Sequence, residues 1–373
     1  MKSLKTFTLK TLLPAVAMIT LVLAVITPAG CHSVSEGLNF IEGDFTLPKI
    51  QAFLLTGSAS AEIAFTKEVV SLETEIFSKN NPEESFRAST FFDSATNTAL
   101  LNFNQKTLTG CSYIIEGIAK DKGGNSVNFS IPFTGWNDSP ALLALSEVRN
   151  AYGSVKQDGS SIHKTEFAEV YVLKEGNLSG LELYSLCDGE EKKYSFPPID
   201  VKKGEYITVH MRKPEKSTSC PFDEEGALDE LKEDLTLATR IDSNSGARDL
   251  WFDNTKAVFA DSDIIMIRDS NKIYDCLYYS KSTFEGFEGD KKILADKILS
   301  EGIWKGEALS SDNISTGACK RSFSRQNLDE IIQKGSCDNK KDVWMITADS
   351  GSGKKKVTGV TPGYKNSSSP YLK

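Results

Sequence analysis

A serine and a lysine at catalytic spacing are the first residues of this chain that could do chemistry. Residues 161–164 read Ser-x-x-Lys and residues 311–313 read Ser-Asp-Asn, a combination in which a serine nucleophile is activated for acyl transfer. The third part of that set, Lys-Thr-Gly, is absent, because the sequence from Lys356 reads KVTG. Ser161 also precedes a predicted strand, whereas the mechanism needs it at the start of a helix. The pattern therefore predicts solvated loop residues.

Residues 351–356 (GSGKKK) invite a phosphate-binding interpretation, because backbone amides and a lysine cradle phosphates in G-x-x-x-x-G-K-[ST]. The first glycine of that motif would fall on Ala348, and Lys355 stands where Ser or Thr is required. The motif fails at both ends. The segment is predicted to be a basic surface hairpin.

Metal chemistry is limited because the chain has only 3 histidines. His210 ends a predicted strand, and we interpret it as a hydrogen-bonded strand residue rather than a ligand. Oxygen ligands fit better: Asp242, Asn244 and Asp249 surround Gly246 and could bind Ca²⁺. The loop lacks the bidentate acid of an EF-hand, so an ordinary Asx turn is the alternative. No cofactor and no enzymatic activity are predicted from these motifs.

Cysteine usage depends on the compartment in which the chain folds. Six cysteines follow Cys31, and an even number in an exported chain allows three disulfides. We favour a bridge between Cys319 and Cys337, because the segment between them can fold back on itself. Buried free thiols are the alternative. No CxxC pair or Cys/His cluster occurs, so the sequence predicts no structural zinc site. The six are Cys111, Cys187, Cys220, Cys276, Cys319 and Cys337.

Residues 1–30 have the order of a secretory signal. Three lysines and no acid come first, residues 12–26 are apolar, and Ala29 and Gly30 precede Cys31. The apolar run is shorter than the roughly 20 residues that a membrane-spanning helix needs. The segment resembles a bacterial lipoprotein precursor, in which an acylated cysteine follows small residues. Pro28 replaces the leucine usual in that pattern, which leaves cleavage by an ordinary signal peptidase as the alternative.

The resemblance implies that Cys31 carries a lipid and tethers the protein to a membrane of the cell envelope, at the outer membrane or cell surface. Removing residues 1–30 takes away three lysines and changes the formal charge from -8 to -11. Such an acidic chain is not expected to bind nucleic acid. The partners predicted are therefore the membrane, through Cys31, and a protein or polysaccharide ligand of unknown identity.

The length of 373 residues, at about 150 residues per domain, indicates two domains after the signal and a tether over residues 31–45. Residues 46–135 show short β-rich runs, of which residues 127–133 alternate apolar and polar side chains. Residues 120–126 (KDKGGNS) have the chemistry of a hairpin turn. We therefore predict an antiparallel β-sandwich. Tyr113 and the DKGGN turn make this segment similar to the Ig-like repeats of bacterial surface proteins.

The second half also reads as antiparallel β-structure, and its motifs resemble the lamin-tail domain, an Ig-like sandwich. The resemblance rests on the order and spacing of several short segments and covers residues 142–366. It implies a second sandwich, with a role in envelope attachment or adhesion by analogy. The matching segments are residues 145–148, 166–171, 178–181, 196–197, 204–207, 324–325, 342–344 and 361–366.

Two insertions account for the excess length over a lamin-tail domain, residues 213–249 and 280–320, and we expect them to lie as loops on the surface of the sandwich. Each contains a segment with helical periodicity: Leu228, Leu231 and Leu235 share one face in the first, and the second contains KKILADKILSEGIW. Residues 367–373 are predicted to be a disordered tail. The fold class predicted is all-β, with two Ig-like sandwiches and short helical insertions in the second.

These features together predict a lipid-anchored envelope protein that binds, adheres or supports structure without catalysis. Two alternatives remain open. The first is an exported hydrolase or nuclease-associated enzyme, because lamin-tail modules often accompany nucleases in exported proteins. The second is a purely structural spacer without a ligand.

Overall fold

The computed structural model describes residues 44–371, apart from 82, 158–159, 188, 215–228, 230, 232–241, 315–317, 335–338 and 350–358. Within these residues the chain is mostly β-strand and forms two sandwiches. We call residues 50–134 the first sandwich and residues 141–371 the second sandwich. The prediction of an all-β fold, with short helices in its second half, is confirmed. None of the described helices is long and apolar enough to span a membrane.

The first sandwich has the strand order of an immunoglobulin constant-type domain. One layer is β1-β2-β5-β4 and the other is β3-β6-β7, and β3 meets β4 over only three residue pairs. Its core comes from alternating residues of both layers, and the rings of Phe53 and Phe133 approach to 5.3 Å between centroids. The strands are β1 (Ile50–Gly57), β2 (Ser60–Phe65), β3 (Ser71–Ser78), β4 (Ser85–Asp93), β5 (Thr98–Phe103), β6 (Ser112–Lys120) and β7 (Ser126–Thr134).

The hairpin between β6 and β7 forms at the predicted turn. The Asp121 carboxylate accepts the backbone N–H of Asn125 at 2.8 Å and its side-chain amide at 2.9 Å. Lys67 lies 2.6 Å from the same carboxylate. The hydrogen bond from Lys67, followed by that from Asn125, lowers the pKa of Asp121 to about 2. Gly124 has a φ of 83°, which explains the glycine in the DKGGN motif.

The second sandwich packs a six-stranded sheet, β17-β16-β11-β8-β21-β22, on a five-stranded sheet, β14-β13-β18-β19-β20. Two helices follow β19 and β21: α1 (Gly289–Ser300) and α2 (Leu328–Lys334). The strands are β8 (Leu142–Arg149), β9 (Gly153–Gln157), β10 (Ser160–Lys164), β11 (Phe167–Lys174), β12 (Gly176–Asn177), β13 (Glu182–Cys187), β14 (Glu190–Ser195), β15 (Asp200–Val201), β16 (Tyr206–His210), β17 (Arg248–Trp251), β18 (Asp263–Arg268), β19 (Ile273–Ser280), β20 (Leu309–Ser310), β21 (Arg321–Arg325) and β22 (Trp344–Ala348).

The core of the second sandwich lies between these two sheets. Leu145, Val170 and Val209 of the six-stranded sheet and Ile265 and Leu277 of the five-stranded sheet are all fully buried. Most pairs are antiparallel, but β17 runs parallel to β16 and β20 runs parallel to β19. Burying these aliphatic side chains stabilises the fold by about 1.5–3 kcal/mol each.

The second predicted insertion, residues 280–320, contains a helix, as its periodicity indicates. The helix is not a surface loop, however, because Ile298 of α1 and the following Trp304 are 0% exposed and belong to the core. The ring of Tyr278 on β19 lies 6.1 Å from that of Trp304. The insertion therefore contributes to the core that it was expected to decorate.

The first predicted insertion ends earlier than residue 249, because Arg248 and Asp249 belong to β17 and pair with β16. Most of residues 213–241, including Leu228 and Leu235, lie outside the described residues. Leu231 is described and is 54% exposed.

The predicted disordered tail is wrong for the residues up to Tyr371. The backbone N–H of Tyr371 donates to the Ile346 carbonyl of β22 at 2.8 Å. The guanidinium of Arg321 lies 3.9 Å from the centre of the Tyr371 ring and donates to its hydroxyl at 2.7 Å. The Gln326 amide also donates to the Ser367 carbonyl at 3.1 Å. Sequence composition missed this anchoring because a few single contacts provide it.

Candidate functional site

The outer face of the six-stranded sheet, turned away from the five-stranded sheet, is both polar and buried. Successive residues of a strand point to opposite faces, so the residues next to the core positions point outward. Four of these outward residues lie in register across β8, β11, β16 and β17, and none is more than 2% exposed. We call them the polar row: Glu147, Glu169, Thr208 and Asp249.

A neighbouring row on the same face joins Arg149, Phe167, His210 and Trp251. The guanidinium of Arg149 lies 4.6 Å from the centre of the Phe167 ring. The His210 and Trp251 rings stack with centroids 4.0 Å apart. Cations and aromatic faces attract each other, so this row places charge and apolar surface side by side.

Glu147 is held entirely by protein groups. Its Oε1 accepts the hydroxyls of Ser322 and of Ser324, the latter at 3.0 Å. Its Oε2 accepts the backbone N–H of Thr361 at 3.0 Å and the Thr361 hydroxyl at 3.1 Å. Burial raises the pKa of Glu147, while these hydrogen bonds and the charge of Arg149 oppose that rise.

Glu169 lies directly opposite Glu147 and accepts the backbone N–H of Gly363. Burial, and then the negative charge of Glu147, raise the pKa of Glu169 well above its usual range. Burial therefore favours the uncharged form of both carboxyls, and the charge of Glu147 favours it further for Glu169.

Residues 361–366 (TPGYKN) close over the polar row. Gly363 has a φ of 80°, and a Cβ there would come within 2.7 Å of the Asn244 Cβ and 2.8 Å of the Ala247 Cβ. The Asn244 amide donates to the Gly363 carbonyl at 2.7 Å. The Asn366 amide donates to the carbonyls of Ser146 at 2.9 Å and Arg325 at 2.8 Å. This segment, which we call the closing segment, needs glycine at its centre.

The predicted calcium ligands each contact protein groups instead. Asp242 is buried and forms ion pairs with Arg149 and, at 2.7 Å, with Lys164. Those two cations, set against desolvation by burial, leave the pKa of Asp242 below its usual value. Asn244 accepts the N–H of Gly246 at 2.9 Å, which is the Asx turn that the sequence offered as the alternative.

The third predicted ligand, Asp249, hydrogen-bonds with His210 at 3.1 Å. The other ring nitrogen of His210 hydrogen-bonds with Thr165 at 2.8 Å, so His210 is the hydrogen-bonded strand residue that was predicted. Among the described residues no group of three or more His, Cys, Asp or Glu could hold a metal ion. Hydrogen-bonding capacity remains on Nε and Nη1 of Arg149 and on the Thr208 hydroxyl, which have no partner among those residues.

A second buried ion pair lies between the two sheets. Arg325 and Asp275 are both fully buried and approach to 2.7 Å. Asp275 also accepts the backbone N–H of Leu145 at 2.7 Å and the side-chain amide of Asn339. Burial raises the pKa of Asp275 against the opposing charge of Arg325. These contacts tie β8, β19 and β21 together.

Of the predicted cysteine sites, Cys31 and Cys337 lie outside the described residues. Cys319 is half-buried, and its Sγ lies against Gly153, 2.8 Å from where a Cβ on that glycine would be. Lipidation at Cys31 and the bridge between Cys319 and Cys337 therefore stay predictions.

The first sandwich has an open concave surface, which we call the β3–β4 cleft. It encloses about 640 Å³ between β3, β4, β6 and β7. Its lining is a mixture of polar and apolar residues that includes three glutamates and one arginine. The residues that define it are Leu72, Glu73, Thr74, Glu75, Phe77, Arg87, Ala88, Glu116, Gly117, Ile118, Asn128 and Phe129.

Sequence reasoning missed most of this geometry. Glu147, Glu169 and the closing segment were noticed only as parts of a family resemblance, and Arg149 was not noticed at all. One signal was available, because charged residues stand at positions 147, 149 and 169 within otherwise apolar strands. The cleft leaves no signal in the sequence, because it depends on where β3 and β4 stop pairing.

The strand order and the buried polar face define an all-β protein of two sandwiches. The family model TP_1001_2nd, described as a protein second domain, matches residues 141–354, and the chain belongs to this family. The match begins where β8 begins and covers more than half of the chain.

A relative named "Uncharacterized protein", from Treponema pallidum (strain Nichols), is 30% identical over 182 residues. The match covers 48% of this chain and 42% of the relative, so the chain spans less than half of that protein's length. Neither the family description nor this name states an activity.

Two solved structures are similar to the chain at a low level. The N-terminal part of the bacterial S-layer protein SbsC is 15% identical, with 34% of this chain and 41% of that chain covered. A DUF4876 family protein from Bacteroides thetaiotaomicron VPI-5482 is 10% identical, with 58% and 74% covered. Both have a TM-score of 0.24, and no functional conclusion is drawn from them.

Proposed function

We propose that this protein is an exported, membrane-anchored component of the bacterial cell envelope that binds a partner and does not catalyse a reaction. The anchor is a lipid on Cys31, and the binding surfaces belong to the two sandwiches. Support for the anchor comes from the apolar run over residues 12–26 and the small residues before Cys31.

The proposal that the protein is not an enzyme rests on one observation: the closing segment covers the polar row. The carboxyls of Glu147 and Glu169, which face each other in the second sandwich, are 0% exposed. Thr361 donates its backbone N–H to Glu147, and Gly363 donates its backbone N–H to Glu169. A catalytic acid or base must come within hydrogen-bond reach of a substrate, and these two carboxyls are enclosed by the protein. The pair is better suited to holding the closing segment.

The resemblance of the second sandwich to a lamin-tail domain remains part of the proposal. Three of the segments that carry the resemblance meet at the polar row: residues 145–148 on β8, 166–171 around β11 and 361–366 in the closing segment. These contacts explain why the three segments would keep a fixed spacing, because their residues stabilise the fold together. The role in attachment is proposed by analogy with the lamin-tail domain.

The anchor is tested with Cys31→Ser, with Cys111→Ser as the matched control in the first sandwich. Cells expressing each protein are labelled with a radioactive fatty acid and separated into membrane and soluble fractions. We expect the wild type and Cys111→Ser to carry label and remain with the membrane, and Cys31→Ser to lose both. Label or full membrane retention in Cys31→Ser would contradict the anchor.

The non-enzymatic reading is tested by carboxyl accessibility. The folded protein is treated with a water-soluble carbodiimide and an amine, and modified residues are identified by mass spectrometry. We expect exposed acids such as Glu73 and Glu116 to react, and Glu147 and Glu169 to react only after unfolding. Fast modification of either buried residue in the folded protein would reveal an accessible acid pair and favour an enzyme.

A further inference from the structure

Two strand edges face each other across the β3–β4 cleft without pairing. Strand β3 pairs with β4 only through Glu75, Ile76 and Phe77. Before that point β3 pairs only with β6, and after it β4 pairs only with β5 through residues 88–93. The two strands therefore diverge, and each leaves one backbone edge without a neighbouring strand among the described residues. At about 3.3 Å per residue, the free edge of β4 is about 20 Å long.

The free edge of β4 lacks the features that usually protect an edge from pairing. Proteins protect edges with lysine, proline or bulges. The outer strand β7 contains Pro132, and the outer strand β1 has register irregularities near both of its ends. Residues 88–93 of β4 read ASTFFD, with no lysine or proline and with Phe91 65% exposed. This edge is open to an added strand.

The cleft beside this edge has a volume of about 640 Å³, which is room for side chains. Gly117 lines the cleft where it is tightest, because a Cβ there would come within 2.6 Å of the Phe129 ring and of the Glu73 carbonyl. Thr74 also lines the cleft, and its buried hydroxyl has no hydrogen-bond partner among the described residues. An occupant with an extended backbone could pair with the free edge of β4 and place alternate side chains against Leu72, Ala88 and Phe129 of the cleft.

The charge of the rim selects the kind of occupant. Glu73, Glu75 and Glu116 line the cleft with one cation, Arg87. Glu73 and Glu116 are exposed, and Glu75 accepts the Ser85 hydroxyl at 2.7 Å. A basic partner complements this rim, whereas a second copy of this acidic chain would be repelled.

We propose that the β3–β4 cleft binds an extended, basic polypeptide segment, which adds as a strand to the free edge of β4. The inference rests on the proposed binding function and names the class of partner. Backbone hydrogen bonds to β4 supply affinity, and alternating side chains over the cleft and its acidic rim supply selectivity.

The probe is a fluorescent ten-residue peptide of alternating lysine and valine, measured by anisotropy with the mature protein. We expect saturable binding that weakens as salt rises. The same peptide N-methylated at alternate residues cannot pair with a strand edge, and a glutamate–valine peptide has the wrong charge; neither should bind. Equal binding of either control peptide would overturn the proposal.

Glu73→Lys should weaken binding of the basic peptide about fivefold, because one favourable exposed charge becomes unfavourable. Glu175→Lys, the same charge change at an exposed position of the second sandwich, should leave binding unchanged. Circular dichroism establishes that both variants fold. Equal weakening by the two variants would mean that only net charge matters, and would overturn the assigned site.

Backbone hydrogen exchange locates the occupant directly. The bound peptide should slow exchange of amides within residues 88–93 and leave β1 unchanged. Protection elsewhere, self-association of the free protein through β4, or no binding by the folded monomer would each overturn the proposal. The membrane fractionation of Cys31→Ser does not involve the cleft, so failure of peptide binding leaves the anchor intact.

Discussion

Glu147 on β8 and Glu169 on β11 lie opposite each other, both fully buried, and accept backbone N–H groups from Thr361 and Gly363, two residues apart in the chain. The sheet and the closing segment are therefore joined through a pair of buried acids whose pKa values are both raised by burial. The integrity of this junction should depend on pH.

Glu169→Gln keeps an acceptor for the Gly363 N–H and removes the ionisable group. Because the pKa of Glu169 is raised in the folded state, the stability of the protonated form is present at low pH and is lost as pH rises through that folded pKa. We expect the free energy of unfolding, measured with urea, to be equal for the variant and the wild type in mild acid. At alkaline pH it should be higher for the variant. Glu175→Gln, an exposed acid, is the control. A parallel pH dependence in Glu169→Gln and wild type would contradict the assignment.

Glu166 offers a second titration with a defined window. Burial raises its pKa from 4.5 to about 7, against the hydrogen bond that it accepts from the Val258 N–H at 2.9 Å. Its contribution to stability is full below about pH 4.5 and is lost as pH rises through about 7, a loss of about 3 kcal/mol. Glu166→Gln should remove this part of the decline in unfolding free energy between mildly acidic and mildly alkaline pH. An unchanged slope would show that Glu166 does not cause it.

The turn between β6 and β7 should respond to acid in the opposite direction. The pKa of Asp121 is lowered to about 2, so its stabilising contribution is present above about pH 4 and is lost as pH falls towards 2. Asp121→Asn should lower the melting temperature of the first sandwich at neutral pH and flatten its acid transition. Asp93→Asn, in the β4–β5 turn, is the comparison. Equal effects of the two substitutions on the acid transition would contradict its assignment to Asp121.

Helix α1 offers a matched pair of isoleucines. Ile298 is 0% exposed, whereas Ile293 on the same helix is 67% exposed. Ile298→Ala should lower the unfolding free energy by about 2–5 kcal/mol, as core truncations do. Ile293→Ala should change it by less than about 0.5 kcal/mol. Similar losses would mean that the helix does not pack as described.

The buried ion pair between Arg325 and Asp275 can be examined with a double-mutant cycle. Arg325→Met removes the cation that offsets the burial of the Asp275 carboxyl, so we expect a loss of about 3–5 kcal/mol in the free energy of unfolding. Adding Asp275→Asn should recover part of that loss, because Asn still accepts the Leu145 N–H. Additive losses in the double variant would contradict direct coupling.

Local patterns predicted the first sandwich well. The alternation over residues 127–133 and the DKGGN turn both appear where they were expected, because strand periodicity and turn chemistry are encoded by neighbouring residues. In the second sandwich, the loop between β18 and β19 is also closed by neighbouring residues, because Asp269 accepts the N–H groups of Asn271 and Lys272 at 2.7 Å.

The polar row could not be derived in this way, because its members are brought together by pairing of distant strands. Asp242 and Asp249 were predicted as oxygen ligands for a cation, but Asp242 pairs with Arg149 and Lys164, and Asp249 hydrogen-bonds with the imidazole of His210. The sequence indicated that these carboxylates have polar partners, but it did not indicate that the partners are side chains of the same protein. Sequence spacing contains no information on which distant strand supplies a counter-charge.

The distance along the chain between Glu147 and its partners determines when the second sandwich can be completed. Ser322 is 175 positions away and Thr361 is 214 positions away, whereas the first sandwich closes within residues 50–134. A chain synthesised from its N-terminus can complete the first sandwich early, whereas β8 has no β21 to pair with until the later residues are present. Completion of the second sandwich therefore requires residues near the C-terminus. Loss of the segment that begins at Thr361 leaves Glu147 and Glu169 without their backbone donors, however intact the preceding strands are.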